Sequence, residues 1–367
     1  MKTFFLSPGL SVRAFKMLWD MKPDIIHVSS PGFLVFAAIL YAKLLDVPLV
    51  VSYHTHVPHY IPLYTFAFLV TPMWAVIRLC QWMADLTLVT SFQMKNTLVA
   101  EGGLKPGSID VWKKGIDVDV FNPRFKSAAM RERMSNGHPE APLFTYVGRL
   151  GSEKRLEDFV YILKQIPESR LALVGGGPSE DDLRALFEKE GLSDRVVFMG
   201  MMSGEELSQA YASASMFVMP SESETLGFVV IEAMSSGIPV VAVRAGGIPD
   251  LIKEGETGLM YAPKQLDECV AHIKALIADP ERSDGMAKIA RAEVEQWGWR
   301  DATLYLRNVQ YEAARKRNDV RKRNWRLLLR VGIAAAIRRT LLGMLRVIMG
   351  RQGKAEANEF DRTVKLG

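Results

Sequence analysis

Two glutamates, Glu224 and Glu232, bracket seven uncharged residues in the stretch PSESETLGFVVIEAMSSGIPVV, which starts at Pro220. Ser221 or Ser223 is placed to cap a helix starting near Thr225, and Gly237 followed by Pro239 is placed to end it. Glu224 then stands at the mouth of the helix and Glu232 roughly 12 Å further along, at 1.5 Å per residue. The first N–H groups of a helix and the positive end of its dipole suit a phosphate, and Gly227 lets that phosphate come close. A nucleotide diphosphate sugar is long enough to give sugar hydroxyls to one carboxylate and ribose hydroxyls to the other. A capped surface helix carrying two solvated acids fits the same spacing.

Cations for a diphosphate occur in VGRLGSEKRLEDF, where Gly148, Arg149 and Lys154 follow an apolar strand. The run VGGGP, with Gly176 at its centre, supplies a turn, although it is not GxGxxG. Three of the six histidines, His54, His56 and His59, crowd into SYHTHVPHY, while His27 stands apart. Cys80 and Cys269 lie far apart and match no metal or redox spacing, which suggests buried thiols in an unoxidised compartment.

These residues need elements to hold them. From residue 143 to about 280, strand-like runs (LFTYVG, RLALVGG, RVVFMG, SMFVMP, IPVVAV, TGLMYA) alternate with helical ones (LEDFVYILKQI, SEDDLRALFEKE, GEELSQAYASA, GFVVIEAMSS). Such alternation specifies a parallel sheet covered on both faces, with ligands beyond the carboxyl ends of its strands. Residues 1–120 repeat the pattern with fewer elements, among them PDIIHV, PLVVSYH, DLTLV and SIDVW. The expected organisation is therefore a first Rossmann-like unit over 1–120, a linker over 121–142, a second unit over 143–295, a closing helix over 296–312 and a tail over 313–367.

The chain has 367 residues, 49% of them hydrophobic, enough for two cores. Its net charge of +5 hides an asymmetry, because residues 313–354 carry a surplus of twelve positive charges and leave the remainder at −7. An acidic body with a basic tail excludes a nucleic-acid protein as the first reading and gives the tail its own partner. In RNWRLLLRVGIAAAIRRTLLGML, Arg330, Arg338 and Arg339 interrupt the apolar runs around Trp325, so the tail is expected to lie along a membrane interface rather than cross it. Residues 47–77 hold no Asp, Glu, Lys or Arg, but four prolines break them up. A second membrane contact over 60–77 and an ordinary buried helix both fit.

The motifs VGR with Lys154, VGGGP, VFMG, the Glu224/Glu232 segment and GETGLMY, in that order, resemble the retaining glycosyltransferases of family 4. Glu224 and Glu232 match that family's E-x7-E pair. The segments KPDIIHVSSPG, VVSYHTHVPHYIPLYTF and VWKKGIDVDVFNPRF resemble more narrowly the sulfoquinovosyltransferases of plants and cyanobacteria.

The resemblance implies an α/β chain of GT-B fold, two Rossmann-like doubly wound domains facing a cleft. It implies transfer of sulfoquinovose from UDP-sulfoquinovose to diacylglycerol with retention, at a plastid membrane, with no metal or cofactor. Arg149 and Lys154 would hold the diphosphate. Glu224 with Thr225, Leu226 and Gly227 would hold the sugar, Glu232 the ribose, and Gly148, Gly176 and Val197 would complete the donor site. His54 would contact the sugar near its reacting carbon. Another lipid glycosyltransferase of the family, such as a diacylglycerol glucosyltransferase, is the nearest alternative. MKTFFLSPGLSVRAF lacks the strand and glycine-rich loop that open the resembled fold, so the first domain is expected to be incomplete at its N-terminus, and a fragment that binds nucleotide without turnover is a further alternative.

Overall fold

The computed structural model describes residues 10–30, 32–112, 115–329 and 338–347. The chain divides into two units, the first comprising 1–89, 95–111 and 305–367, and the second 90–94 and 112–304.

In the first unit β1 (Ile26–Ser30), β2 (Leu49–Tyr53), β3 (Leu86–Val89) and β4 (Ile109–Val111) form a parallel sheet in sequence order. Every residue of β2 and β3 is buried, as expected of continuous Val/Leu runs paired on both edges. The helix Leu34–Leu45 buries Val35, Ala38 and Ala42 in one apolar cluster, and Ala37, Tyr41 and Leu44 in another that includes Phe15.

The helix Tyr311–Leu329 belongs to this unit and packs across β2 and β3. Ala314 and Asn318, one turn apart, are buried along that seam, and Arg321 follows a turn later. Arg321 pairs with the buried carboxylate of Asp85, whose other oxygen accepts from Leu49 N–H at 2.9 Å. Arg317 donates to the carbonyls of Asp85 and Gly107, and Gln310 donates to Asp110 and Val111. The sequence reading placed a separate tail from residue 313 onward, whereas the described stretch 313–329 continues a helix of the first unit. Those cations hold the first unit together. Residues 330–337 and 348–367, with much of the expected membrane segment, lie outside the described residues.

The second unit contains β5 (Leu143–Val147), β6 (Arg170–Val174), β7 (Val196–Gly200), β8 (Met216–Met219), β9 (Val240–Val243) and β10 (Leu259–Tyr261). All pair in parallel, in the order β10-β9-β8-β5-β6-β7, so the strand order reverses between β5 and β8. Helices on both faces seal a large core with Phe144, Phe159, Phe217, Val241 and Ile273 essentially fully buried. The stretch read as a linker contains the helix Ala128–Met134, which buries Met130 and Met134 in that same core. Polar, Gly- and Pro-containing flanks conceal such a short helix in the sequence.

Candidate donor site in the second unit

The carboxyl ends of β5 and β8 flank the reversal of strand order, where neighbouring loops part and leave room for a ligand. The loops after these two strands carry Lys154 and Glu224, and the two side chains meet there. Lys154 Nζ lies 2.5 Å from Glu224 Oε1, and the side chains are 14% and 17% exposed. Ser221 adds a hydrogen bond to the same carboxylate oxygen at 3.2 Å, and Ser223 donates to the Glu153 carbonyl at 3.3 Å. Arg149 is more open; its side chain is 58% exposed, with Glu153 Oε1 3.6 Å from its guanidinium.

Glycines set the close contacts of these loops. A Cβ on Gly175 would lie 1.9 Å from the Gly148 carbonyl oxygen, and one on Gly246 would lie 2.0 Å from that of Glu224, where Gly246 also has φ +58°. The Gly247 N–H donates to the Glu224 carbonyl at 2.7 Å, so the loop after β9 props up the Glu224 loop from behind. Beside them a cavity of about 270 Å³ is lined by Gly148, Arg149, Gly176, Met201, Met202 and Leu207. The cavity brings together three of the expected donor residues. Val197 lies within β7, half-buried, and is not part of its lining. The methionines and Leu207 escaped the sequence reading because nothing distinguishes an apolar ligand wall from an apolar core.

The helix in the Glu224/Glu232 segment starts later than its composition suggests. It spans Phe228–Ser235, with Gly227 at φ 79° as its N-cap and no side-chain cap. Ser221 and Ser223 therefore do not cap it, and Thr225 and Leu226 lie half-buried in the loop ahead of it. Gly227 serves this start by adopting a left-handed conformation that other residues resist. Glu232 sits on the second turn, and its Oε2 accepts from the hydroxyl of Tyr211 at 2.7 Å. Burial raises the pKa of Glu232, and the Tyr211 hydrogen bond opposes that rise.

In the first unit, His54 follows β2, and its Nε2 shares a 2.9 Å hydrogen bond with Ser52 Oγ. Burial lowers its pKa. His27 Nδ1 bonds the Tyr311 hydroxyl at 2.9 Å, and burial, then His54, lowers its pKa to about 4. The pKa of His56 is lowered to about 4 by burial and then by His59; its ring bonds the Tyr53 hydroxyl and lies 5.6 Å from the Trp74 ring, tilted at 58° to it. Among the described residues no group of three or more His, Cys, Asp or Glu is placed to hold a metal ion. Both cysteines are buried, and burial raises both thiol pKa values.

The family model for group 1 glycosyl transferases matches residues 130–293, and that for glycosyltransferase family 4 matches residues 2–120. The chain is 52% identical over 312 residues to sulfoquinovosyl transferase SQD2 of Arabidopsis thaliana, a match covering 84% of this chain and 60% of that protein. It is thus aligned with less than two thirds of that relative's length. It is 35% identical over 272 residues to a GDP-mannose-dependent alpha-mannosyltransferase of Mycobacterium tuberculosis, covering 72% of this chain and 68% of the relative. Among solved structures, Anabaena HepE in complex with UDP superposes with a TM-score of 0.71 at 21% identity, over 85% of this chain and 86% of that one. Sucrose-phosphate synthase of Thermosynechococcus elongatus superposes with a TM-score of 0.70 at 25% identity, over 82% and 76%. With two parallel α/β units, the second of them doubly wound among the described residues, and these matches along its length, the chain belongs to the family 4 and group 1 glycosyltransferases and has the GT-B fold.

Proposed function

We propose that the protein transfers sulfoquinovose from UDP-sulfoquinovose to diacylglycerol, with retention at the anomeric carbon. The observation that carries the reading is the Lys154–Glu224 pair at the reversal point of the second sheet, beside a cavity lined by Gly148, Arg149 and Gly176. A diphosphate drawn to Arg149 and Lys154 releases Glu224 to accept sugar hydroxyls. Glu232 then takes the ribose. Departure of the UDP phosphate builds negative charge, which the two cations stabilise most in the transition state. The leaving phosphate is also the base for the incoming hydroxyl on the same face, so retention needs no carboxylate nucleophile. His54 is assigned the sugar contact that the family resemblance implies.

The 52% identity to a sulfoquinovosyl transferase supports this donor over other hexoses, and the UDP in the HepE structure supports the nucleotide. A lipid acceptor requires a membrane contact, in our reading at the plastid membrane. On the helix Val70–Met83 only Trp74, Ile77, Cys80 and Gln81 are buried, while Val76, Leu79 and Trp82 are exposed, as are Phe66, Phe68 and Leu69 just before it. No acid occurs between Asp46 and Asp85. An exposed apolar strip with Trp and Phe and without carboxylates suits a bilayer interface.

The test is a transfer assay on diacylglycerol vesicles with UDP-sulfoquinovose, UDP-glucose and GDP-mannose as competing donors. Product from the sulfonated donor alone is the expected result. Product from UDP-glucose alone would replace the reading with that of a diacylglycerol glucosyltransferase, and calorimetry showing no UDP binding would remove the donor site altogether.

A further inference from the structure

We infer that Tyr211 is a positioning residue for Glu232, fixing one carboxylate oxygen so that the other is presented to the ribose diol of the nucleotide. The inference rests on the proposed nucleotide site and adds to it a residue that meets no substrate. Tyr211 is fully buried on the helix Gly204–Ser213, and its hydroxyl reaches across to Glu232 Oε2, 21 positions later. Its ring lies against Phe121 edge-on at 5.7 Å and against Phe217 at 5.9 Å, a packing that phenylalanine would satisfy equally well. The hydroxyl therefore has a purpose beyond filling space, because burying it without a partner is costly.

The last torsion of a glutamate is broad and nearly two-fold, so an unrestrained carboxylate plane swings. A short bond from a rigid, buried donor stops that swing. It leaves Oε1, on a residue that is only partly buried, as the oxygen able to meet ligand hydroxyls. The bond also favours the ionised carboxylate in a setting whose burial favours the neutral acid. Charged neighbours do not take over this task. Glu224 is paired with Lys154, and Arg291, from the helix Pro280–Val294 that packs against the Glu232 helix, is committed to Glu295 and to the carbonyls of Val118, Phe121 and Ser235.

Calorimetry of the full chain with UDP and with 2′-deoxy-UDP, between pH 5 and 8, tests the assignment on wild type, Tyr211→Phe, Glu232→Gln and the double variant. Tyr211→Phe is expected to bind UDP about tenfold more weakly, the scale of one hydrogen bond to a charged group. Its preference for UDP over 2′-deoxy-UDP should shrink. Its affinity should begin to fall at a higher pH on acidification, since loss of the donor raises the carboxyl pKa further. The double variant should be no worse than Glu232→Gln. Equal weakening toward both nucleotides with an unmoved pH profile, in a protein that still depends on Glu232, would overturn the positioning role alone. Unchanged UDP affinity in Glu232→Gln would instead overturn the ribose contact, and the inference with it. If Tyr211→Phe does not fold, Glu232→Asp keeps the charge but withdraws it from the hydroxyl. Undiminished discrimination between the two nucleotides in that variant would overturn the assignment as well.

Discussion

The two units use positive charge in opposite ways. In the second, Lys154 and Arg149 stand in the loop at the end of β5, one paired with the Glu224 carboxylate, the other largely exposed. In the first, Arg317 and Arg321 are spent on backbone carbonyls and on Asp85. The strand orders differ in parallel. The strand order of the second sheet reverses between β5 and β8, the place where such sheets accept ligands, whereas the four described strands of the first run in simple sequence and are covered by the helix Tyr311–Leu329. A basic residue therefore reports a ligand only where the topology leaves it an opening; elsewhere it serves as scaffold.

The sharpest way to break this comparison is to attack the scaffold. Asp85→Ala leaves Arg321 and the Leu49 N–H without their shared partner in a buried setting, and removing one member of such a pair costs about 3–5 kcal/mol. We expect early unfolding of the first unit by thermal denaturation and limited proteolysis, with UDP affinity retained by the second. Deletion of residues 313–367, which removes Ala314, Asn318 and Arg321 from the seam, should do the same or worse. Equal stability of wild type and Asp85→Ala would show that the helix does not secure the unit.

Acid should distinguish the units next. His27 and His56 have pKa values lowered from 6.5 to about 4, so the unfolded chain binds more protons than the folded one between those values. Stability is therefore full above about pH 6.5 and declines as the pH falls toward 4, by at most about 3 kcal/mol per histidine. Denaturant titrations at pH 7 and pH 5 should show the first unit weakened, and His27→Gln should flatten part of that slope. A slope unaltered in both His27→Gln and His56→Gln would contradict the buried, neutral state.

A smaller loss is expected in the second unit from Lys154→Ala. A charge-assisted contact to the diphosphate is worth about 2 kcal/mol, or roughly thirtyfold in donor affinity or turnover. Calorimetry and initial rates would register it, and wild-type values in both would remove Lys154 from the site.

How much of this was legible follows from how local each determinant is. The six strands of the second unit, and Lys154 and Glu224 as loop residues that follow two of them, could be read because short apolar runs and the residues just after them carry their meaning within a few positions; that the two side chains pair with each other could not, since 70 positions separate them. The start of the Phe228–Ser235 helix was not, since Gly227 opens it by conformation and Ser221 is drawn away to Glu224. Nor was the scaffold role of Arg321, whose partner Asp85 is 236 residues distant. Tyr211 was hidden more thoroughly. In GEELSQAYASA it sits among residues that any amphipathic helix would carry, and only the folded chain brings its hydroxyl to Glu232.

The smallest expected effect is the one that best separates ligand charge from scaffold charge. Arg149→Ala should change the melting temperature of the second unit hardly at all. Its side chain is 58% exposed and its nearest carboxylate oxygen is 3.6 Å away, and exposed pairs of this kind contribute about 0–1 kcal/mol. If Arg149 serves the diphosphate, UDP affinity and turnover should nevertheless drop, because charge on the leaving group grows toward the transition state and a screened surface pair cannot replace it. Thermal denaturation and calorimetry on one preparation decide the matter. A loss of stability without a loss of affinity would make Arg149 another scaffold arginine, like Arg321, and the contrast between the two units would no longer hold.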